Sequence, residues 1–398
     1  MIGKETLGKK MIKKIGEGEI IKLLSDIVSI RSDNPNREEA DKRKTENNIA
    51  NYITAYLKDL HMKVEKIYVR DGRPNVIGYL KGGNSTKRLM LQAHMDTVGI
   101  DELSIEPFNP IIKNGRMYGR GTCDTKGSIA AMLSALKLLE INKIKPDTDI
   151  YFVATMGEET GCEGSTHLMK TGFRVDAGIV GEPTNLDVIF CHKGSLWFKL
   201  MVKGKSAHSS TPEKGENAIY KMNRVIQFIE NELTDKLNRK KDSVLGSTTI
   251  NVGKIRGGEK VNIVPGTCRI EIDIRTLPSD DQPKILKDIK ENIKKLKYKA
   301  QRLKVEITDV RYHLPLMTDP EENIVNILSD NVKCVIGRTK KRGVSYFSDG
   351  GVFSANGIPI VVFGPGNIAQ AHTDTEYIEL KQVFQATEII ALTMINYH

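Results

Sequence analysis

Long apolar runs, closely paired cysteines and aromatic residues are all scarce in this sequence of 398 residues. No apolar run approaches the ~20 residues that a membrane-spanning helix requires. The basic N-terminus, "MIGKETLGKKMIKKIGEGE", has no continuous apolar stretch and no small-residue cleavage site, which argues against a secretory signal. It predicts a solvated first helix, with an amphipathic targeting helix as the alternative.

The cysteines are few, and their spacing does not indicate a disulfide framework. The five are odd in number and none forms a close Cys-x-x-Cys pair. We therefore expect no disulfide scaffold, and a reducing cytoplasm is the predicted compartment. The residues are Cys123, Cys162, Cys191, Cys268 and Cys334.

The formal net charge of +10 raises the question of a nucleic-acid partner. Much of the lysine and arginine lies in "KLNRKKDS" and "KDIKENIKKLKYKAQRLK", and the second stretch has the pattern of an amphipathic helix. No nucleic-acid motif is recognisable, and aromatic residues are only 6% of the chain. A solvated surface without nucleic-acid or membrane partners is predicted. The same field would attract a small anionic substrate; the alternative, nucleic-acid binding, would show a steep salt dependence.

Two domains are predicted from the change of pattern along the chain. Short apolar strands alternate with helices up to about Gly194 and again from about Leu314, which indicates an α/β sheet buried on both faces. Between them, a strand–helix–strand–strand–helix–strand order is typical of a small α+β sandwich. We therefore predict a discontinuous first domain, 1–193 and 312–398, with a second domain, 194–311, inserted into it.

Acids and histidines follow the predicted strands or lie in glycine-rich turns, at five places. Each place alone has an ordinary explanation, such as a buried hydrogen bond for His94 and Asp96 or a helix cap for Asp124. Together they fit a catalytic zinc site with two ions that share one carboxylate. Such a site uses five protein ligands, and one acid, Glu158, remains over. The five predicted ligands are His94, Asp124, Glu159, Glu182 and His372.

The chain resembles the two-zinc aminoacylase and carboxypeptidase family that includes acetylornithine deacetylase, succinyl-diaminopimelate desuccinylase and glutamate carboxypeptidase. The resemblance covers nearly the whole chain. It rests on motifs that occur in the family's order: "HMDTV", "GRGTCDTKG", "GEETG", "GEPT", "KGKSAHSSTPEKGENAI", "GGEKVNIVP", "DIRTLP" and "AHTDTEYI". It implies a mixed, mostly parallel α/β sheet flanked by helices, and an inserted sandwich that serves as dimerisation and lid domain.

The resemblance also implies a role for each ligand. His94 and Glu182 would hold one metal and Glu159 and His372 the other, with Asp124 bridging them. The peptide bond after Asp124 is often cis in this family. Asp96 would orient His94, and Glu158 would act as general base.

Further roles are implied for the inserted domain. His208 would reach the partner subunit's active site in a homodimer and stabilise the oxyanion. Asn262 and Arg275 match substrate contacts, and a guanidinium suits a substrate carboxylate. A solvated loop histidine and a surface ion pair are the alternatives for His208 and Arg275. In the catalytic domain, the "GPG" turn, Gly364 to Gly366, would offer backbone groups to substrate or would simply be a tight turn.

The predicted activity is hydrolysis of the amide bond of an N-acyl amino acid, of acetylornithine deacetylase or succinyl-diaminopimelate desuccinylase type. Two divalent ions, zinc, cobalt or manganese, are the predicted cofactors. A dipeptidase or glutamate carboxypeptidase is the alternative, and a zinc-binding scaffold without catalysis is disfavoured because Glu158 is present. The chain departs from the family at Thr375, where an Asp often precedes the Glu, and in the long polar segment 34–48, whose purpose the sequence does not indicate.

Overall fold

The computed structural model describes residues 15–34, 45–83, 86–100, 106–298 and 301–398. The N-terminal segment and most of the polar segment 34–48, for which a helix and an insertion were predicted, lie outside these residues. The chain divides into two compact units. Unit 1 comprises residues up to Cys191, Leu316–Gly343 and Ser348–His398, and unit 2 comprises His192–Pro315 and Val344–Phe347. The sequence analysis had assigned Val344–Phe347 to the first domain.

The helices follow the apolar periodicity of the sequence. Within the described residues they are α1 (Glu17–Ser29), α2 (Thr45–Asp59), α3 (Gly127–Asn142), α4 (Glu163–Lys170), α5 (Ala218–Phe228), α6 (Thr234–Asn238), α7 (Gln282–Ile293), α8 (Asn323–Ile336), α9 (Gly350–Ala355) and α10 (Leu380–Asn396).

The strands alternate with these helices in unit 1 and are mostly grouped in unit 2. They are β1 (Lys63–Arg70), β2 (Arg73–Leu80), β3 (Arg88–His94), β4 (Ile111–Lys113), β5 (Arg116–Tyr118), β6 (Asp149–Thr155), β7 (Ala177–Val180), β8 (Val188–His192), β9 (Gly194–Lys203), β10 (Lys241–Asp242), β11 (Gly246–Ser247), β12 (Thr249–Gly257), β13 (Thr267–Thr276), β14 (Lys297–Tyr298), β15 (Gln301–Arg302), β16 (Val305–His313), β17 (Leu316–Met317), β18 (Lys341–Val344), β19 (Ile360–Val362) and β20 (Tyr377–Glu379).

Unit 1 is built on one sheet in the order β1-β2-β6-β3-β7-β19-β8-β17, with β18 beside β8. The central strands β6, β3, β7 and β19 run parallel. In β3 every residue after Arg88 is buried, as expected for a parallel strand covered on both faces. The long helices α3 and α10 pack against each other, and α3 is buried along most of its length. The predicted mixed, mostly parallel α/β fold is confirmed.

Unit 2 is an α+β sandwich. Its antiparallel sheet has the order β12-β13-β9-β16, and β13 alternates between buried and more exposed residues. The buried face packs on α5 and α7, whose apolar stripes complete one hydrophobic core. Asn217 caps α5 and Asp281 caps α7 through side-chain oxygens that accept backbone N–H groups.

Two expectations about chemistry at the level of the whole chain can be compared with the structure. All five cysteines are thiols rather than halves of disulfides. Among the described residues, no helix is long and apolar enough to cross a membrane.

Candidate metal centre

Three neighbouring parallel strands of unit 1 deliver the strand-derived ligands. β3 ends at His94, β6 ends four residues before Glu159, and β7 ends two residues before Glu182. Because β6, β3 and β7 are adjacent and parallel, their carboxyl ends meet at one edge of the sheet. The strand pattern of the sequence thus brings an imidazole and the carboxylates to one place.

Asp124 and His372 come from loops. Asp124 lies in a buried turn, Thr122–Lys126, that leads into α3, and the peptide bond from Asp124 to Thr125 is cis, as the resemblance implied. His372 follows the short turn Ile368–Gln370 and has a positive φ of 62°. A left-handed conformation is uncommon for a residue other than glycine.

Asp124 lies between the two histidines. Its Oδ1 is 3.0 Å from His94 Nε2, and its Oδ2 is 3.2 Å from His372 Nε2. Each imidazole faces a further carboxylate. Glu182 Oε1 is 3.9 Å from His94 Nε2, and Glu159 Oε1 is 3.1 Å from His372 Nε2. The five predicted ligands are therefore together, in two groups that share Asp124.

The ring of His94 is held so that Nε2 points to Asp124. Its Nδ1 is hydrogen bonded to the backbone carbonyl of Asp96 at 2.8 Å, while the nearer carboxylate oxygen of Asp96 is 3.6 Å away. The carboxylate had been expected to orient the ring, but the carbonyl makes the short hydrogen bond.

The Asp96 carboxylate instead holds the turn with the two glutamates. Its two oxygens accept the backbone N–H groups of Glu158 and Glu159, each at 3.1 Å, and the amide of Asn34 donates to it at 2.6 Å. Asp96 thus contacts the proposed base and a ligand through their backbone, which the spacing of the motifs did not indicate.

The electrostatics of the cluster are dominated by buried carboxylates. Burial would raise the pKa of Asp124, but hydrogen bonds from His372 and His94 hold it well below its usual range. Hydrogen bonds to Asp124 and Glu159 raise the pKa of His372 to about 10. Burial, followed by the nearby Asp124 carboxylate, raises the pKa of Glu182 well above its usual range.

Glu158 is buried beside this group. Burial raises the pKa of its carboxyl well above the usual range, and the Glu182 and Glu159 carboxylates add to this rise against the opposing effect of His94. Glu158 and Glu159 are adjacent but differ in environment. Glu159 Oε1 contacts His372, and among the described residues Glu158 makes no such contact.

The residues fit a site for divalent cations. One ligand atom each of His94, Asp124 and Glu159 lies within 4.8 Å of the others. Four carboxyl groups and two imidazoles lie together at this place, and buried charge is tolerated when it is paired or binds a metal. Imidazole and carboxylate without thiolate is a donor set that zinc accepts in catalytic sites.

One further buried acid escaped the sequence analysis. Asp349 directly precedes α9 and accepts hydrogen bonds from Gln92, Thr155 and Ser165 at 2.6–2.7 Å. The negative charge of Asp349 is close enough to Glu158 to raise the pKa of its carboxyl. Its place in "SDGG" carries no spacing signal, since its partners are 184 to 257 residues away in sequence.

The "GPG" turn is fully engaged within unit 1. The N–H of Gly364 donates to Thr184 Oγ1 and its carbonyl accepts from Leu186. The N–H of Gly366 donates to Gln382, and its carbonyl accepts from Asn185. These contacts are those of a tight turn, and a substrate role for Gly364 and Gly366 stays a prediction.

The other three predicted residues lie in unit 2. His208 is exposed and its Nδ1 is 2.7 Å from Ser210 Oγ. Asn262 is exposed as well, and its carbonyl accepts from Ser209.

Arg275 has the ion pair that was named as its alternative. Its Nε donates to Asp273 at 2.9 Å, and its guanidinium carbon lies 5.5 Å from the centre of the Phe347 ring. The substrate contacts expected for His208, Asn262 and Arg275 stay predictions.

Comparison with known proteins gives the family of the chain and, with it, a hydrolase that acts on amide bonds. The profile of Peptidase family M20/M25/M40 matches residues 90–396, so the chain belongs to this family. Acetylornithine deacetylase of Vibrio campbellii is 30% identical over 387 residues, covering 95% of this chain and 98% of the relative. That of Salmonella typhimurium is 31% identical over 358 residues, covering 87% and 89%.

Solved structures show the same fold. An M20 family metallo-carboxypeptidase of Sulfolobus solfataricus superposes with a TM-score of 0.79 at 21% identity, covering 95% of this chain and 99% of that one. A dinuclear metal-binding peptidase of the M20 family from Bacillus subtilis gives a TM-score of 0.67 at 14% identity, covering 95% and 97%. The family resemblance seen in the motifs is confirmed.

Proposed function

We propose that the chain is a two-metal deacylase that hydrolyses the amide bond of an N-acyl amino acid, with an N-acetyl amino acid of the acetylornithine type as the first candidate substrate. One observation carries the proposal: Asp124 lies between His94 and His372, and each imidazole faces a further carboxylate. The curated relatives named acetylornithine deacetylase support the acyl group, and the desuccinylase type is the nearest variant.

The proposed ligands divide between the two ions. His94 and Glu182 would hold one ion and Glu159 and His372 the other, and both ions would share Asp124. Divalent ions, zinc by preference and cobalt or manganese as alternatives, supply an acidified water and a polarised carbonyl when they are bound.

Glu158 is the proposed general base. It would take a proton from the attacking water and pass it to the nitrogen of the leaving amine, so that one carboxyl serves as base and then as acid. Burial raises the pKa of this carboxyl above its usual range, which is the direction that favours a carboxyl serving as base and then as acid. The backbone N–H of Glu158 donates a hydrogen bond to the Asp96 carboxylate, and this bond holds the backbone from which the Glu158 side chain extends.

Unit 2 is proposed to supply the substrate contacts. Arg275 would bind the substrate carboxylate through the guanidinium nitrogens that Asp273 leaves available, and Asn262 would add a polar contact. His208 would stabilise the developing oxyanion in the site of the partner subunit. In unit 1, the backbone of Gly364 and Gly366 is proposed as a further contact, and there the substrate would have to share groups that already have partners.

A homodimer through unit 2 is part of the proposal. β12 is an edge strand of its sheet, and edge strands pair readily with a second chain. Ile255 on β12, Tyr220 on α5 and the nearby Val261 expose large apolar side chains. Tyr220 and Val261 line a groove of about 880 Å³, together with residues that include Ile263 and Ser209, the chain neighbour of His208. The thiol state of the five cysteines supports the cytoplasm as the proposed compartment.

Amine release from a panel of substrates tests the proposal. N-acetyl, N-succinyl and N-formyl amino acids and dipeptides would be offered to the chain with zinc, cobalt or manganese supplied, and again after removal of metal by a chelator. We expect turnover of an N-acetyl amino acid that is lost with chelator and restored by metal. Turnover of dipeptides alone would replace the deacylase with a peptidase, and turnover that survives the chelator would contradict both.

Glu158→Gln separates metal binding from catalysis. The amide keeps the volume of the side chain but cannot accept the proton, so we expect metal content near that of the wild type and turnover lower by about 10²–10⁴. Metal analysis and initial rates measure the two quantities. Glu163→Gln is the matched control, because this half-buried glutamate pairs with Arg70 at 2.7 Å outside the cluster. Wild-type turnover in Glu158→Gln would remove the residue from its role.

A further inference from the structure

A second buried carboxylate, Glu376, is directed at the backbone of the loop that carries Asp124. The residue is 1% exposed. Its Oε1 accepts the N–H groups of Cys123 at 2.9 Å and Asp124 at 3.1 Å. Its Oε2 accepts the N–H of Gly121 at 3.0 Å and a hydrogen bond from Arg120 Nη1 at 2.7 Å. Both oxygens are therefore occupied by donors of one loop.

The same contacts connect this loop to the segment that carries His372. Arg120 is buried and also donates to the carbonyl of Thr373 at 3.2 Å. The strand β20, which starts directly after Glu376, pairs antiparallel with β5, which ends two residues before Arg120. His372 and Asp124 thus belong to two segments that Glu376 and Arg120 join to each other.

A simple ion pair with Arg120 does not account for this arrangement. Such a pair would occupy one oxygen, whereas the carboxylate of Glu376 also accepts three backbone N–H groups. A buried N–H group without an acceptor destabilises the fold, because it has lost its hydrogen bond to water. The three donors lie in a turn that has no regular helical or strand partner for them, so the carboxylate fixes the path of the turn.

We propose that Glu376 is a positioning residue for the metal centre, which sets the position of Asp124 relative to His372 by binding the backbone of the Gly121–Asp124 loop. The inference rests on the proposed metal-dependent function. Glu376 touches neither substrate nor metal in this proposal. Its effect reaches the site through the 3.2 Å approach of Asp124 Oδ2 to His372 Nε2.

Cobalt binding tests the proposal with a readout other than activity. Glu376→Gln keeps the volume of the side chain, but the NH₂ of the new amide replaces one accepting oxygen. It would face backbone N–H groups that are themselves donors, so their hydrogen bonds are lost. We expect this variant to bind Co²⁺ about 10–100-fold more weakly in a chelator competition, the usual effect of losing a partner that orients a ligand. We also expect a change in the visible absorption of bound Co²⁺, and partial recovery of turnover at high metal concentration.

Two further variants make the test decisive. Glu379→Gln is the control. Glu379 lies three residues after Glu376 and pairs with Arg116 at the surface, so this variant should bind Co²⁺ as the wild type does. Glu376→Asp keeps the charge but shortens the side chain, and it tests the proposal if Glu376→Gln does not fold. We expect weakened Co²⁺ binding in Glu376→Asp as well.

The outcomes separate this proposal from the proposed function. If wild-type chain binds Co²⁺ while the folded Glu376 variant has the wild-type affinity and spectrum, Glu376 serves folding alone and the inference is wrong. A lower unfolding temperature without a change in Co²⁺ affinity has the same meaning. If the wild type itself binds no Co²⁺, the metal centre is wrong and the inference falls with it.

Discussion

At the scale of single residues, the site depends on side chains that bind backbone as much as on those that would bind metal. Asp96 holds the N–H groups of Glu158 and Glu159, and Asn34 donates to the same carboxylate at 2.6 Å. Asn34 in turn accepts from Arg73 at 3.0 Å, and Arg73 forms a buried ion pair with Glu46. Removing a buried acceptor costs more than its net contribution in place, since its donors stay unpaired.

Replacing Asp96 by asparagine should therefore impair catalysis without emptying the site. The amide can accept from only one of the two glutamate N–H groups, because its NH₂ end faces the other as a donor. We expect turnover and metal affinity to fall by about 10–100-fold, measured as initial rates at saturating metal and as Co²⁺ affinity. Asp59→Asn, at an exposed position at the end of α2, should leave both unchanged. Wild-type kinetics in Asp96→Asn would contradict a positioning role.

This division between direct and indirect contacts explains which site residues the sequence could predict. His94, Glu159 and Glu182 follow buried strands, and strand order brings such positions together in any parallel sheet. Glu376 and Asp349 gave no such signal. Their hydrogen bonds go to partners up to 257 residues away, and Glu376 binds N–H groups that every sequence possesses. Only folding reveals which backbone a buried carboxylate will meet.

At the scale of elements, the approach of α4 to the sheet fixes the turn that holds the two glutamates. Asn75 on β2 donates to the carbonyl of Gly164 at 2.8 Å and accepts from Met156 at 3.1 Å. Gly164 also donates its N–H to the carbonyl of Met156 at 3.0 Å. The helix therefore lies against the backbone that leads from β6 to Glu158, with no space for a side chain at residue 164.

Gly164→Ala should destabilise the protein for this reason. A Cβ there would lie 2.4 Å from Asn75 Oδ1 and 2.5 Å from the carbonyl oxygen of Met156, so α4 must move. Crowding of this kind costs about 1–3 kcal/mol, read from the urea midpoint, and turnover should fall with it.

Gly18→Ala is the opposing control. It is an exposed glycine in α1 with no atom within 4 Å of its Cβ position, and it should gain about 0.4–1 kcal/mol. Equal urea midpoints for the two variants would contradict the close packing at Gly164.

At the scale of the whole molecule, the order of helices and strands could be predicted from the sequence. The exact residue at which the chain leaves the inserted domain and re-enters the first domain could not. The pattern of strands and helices indicated an inserted α+β sandwich, because the two domains bury their strands differently. The structure groups Val344–Phe347 with unit 2, whereas the sequence analysis placed this segment in the first domain, where the buried α/β pattern resumes along the chain. In the structure Phe347 stacks on His313 with ring centres 4.1 Å apart and meets Trp197 edge-on, contacts within unit 2 that no local pattern encodes.

The proposed dimer should depend on the apolar surface beside β12. Val261 is fully exposed, and an aspartate there would place a charge in the interface. We expect wild-type chain to sediment near twice its monomer mass, and Val261→Asp to sediment as a monomer with lower turnover. Val244→Asp, at another exposed valine of unit 2, should change neither. A monomeric and fully active wild type would contradict the dimer.

Mixing two inactive variants tests whether the dimer completes the catalyst. In a heterodimer of His208→Ala and Glu158→Gln, the site that keeps Glu158 receives His208 of the partner subunit, while the other site lacks both. If His208 acts across the interface, mixing with subunit exchange should restore about one quarter of wild-type turnover, because half of the dimers are mixed and each has one complete site. If His208 acts within its own chain, every site keeps one defect and mixing restores nothing. The same mixture with Val261→Asp added to both chains should stay inactive in either case, so recovered turnover that persists there would contradict an interface beside β12.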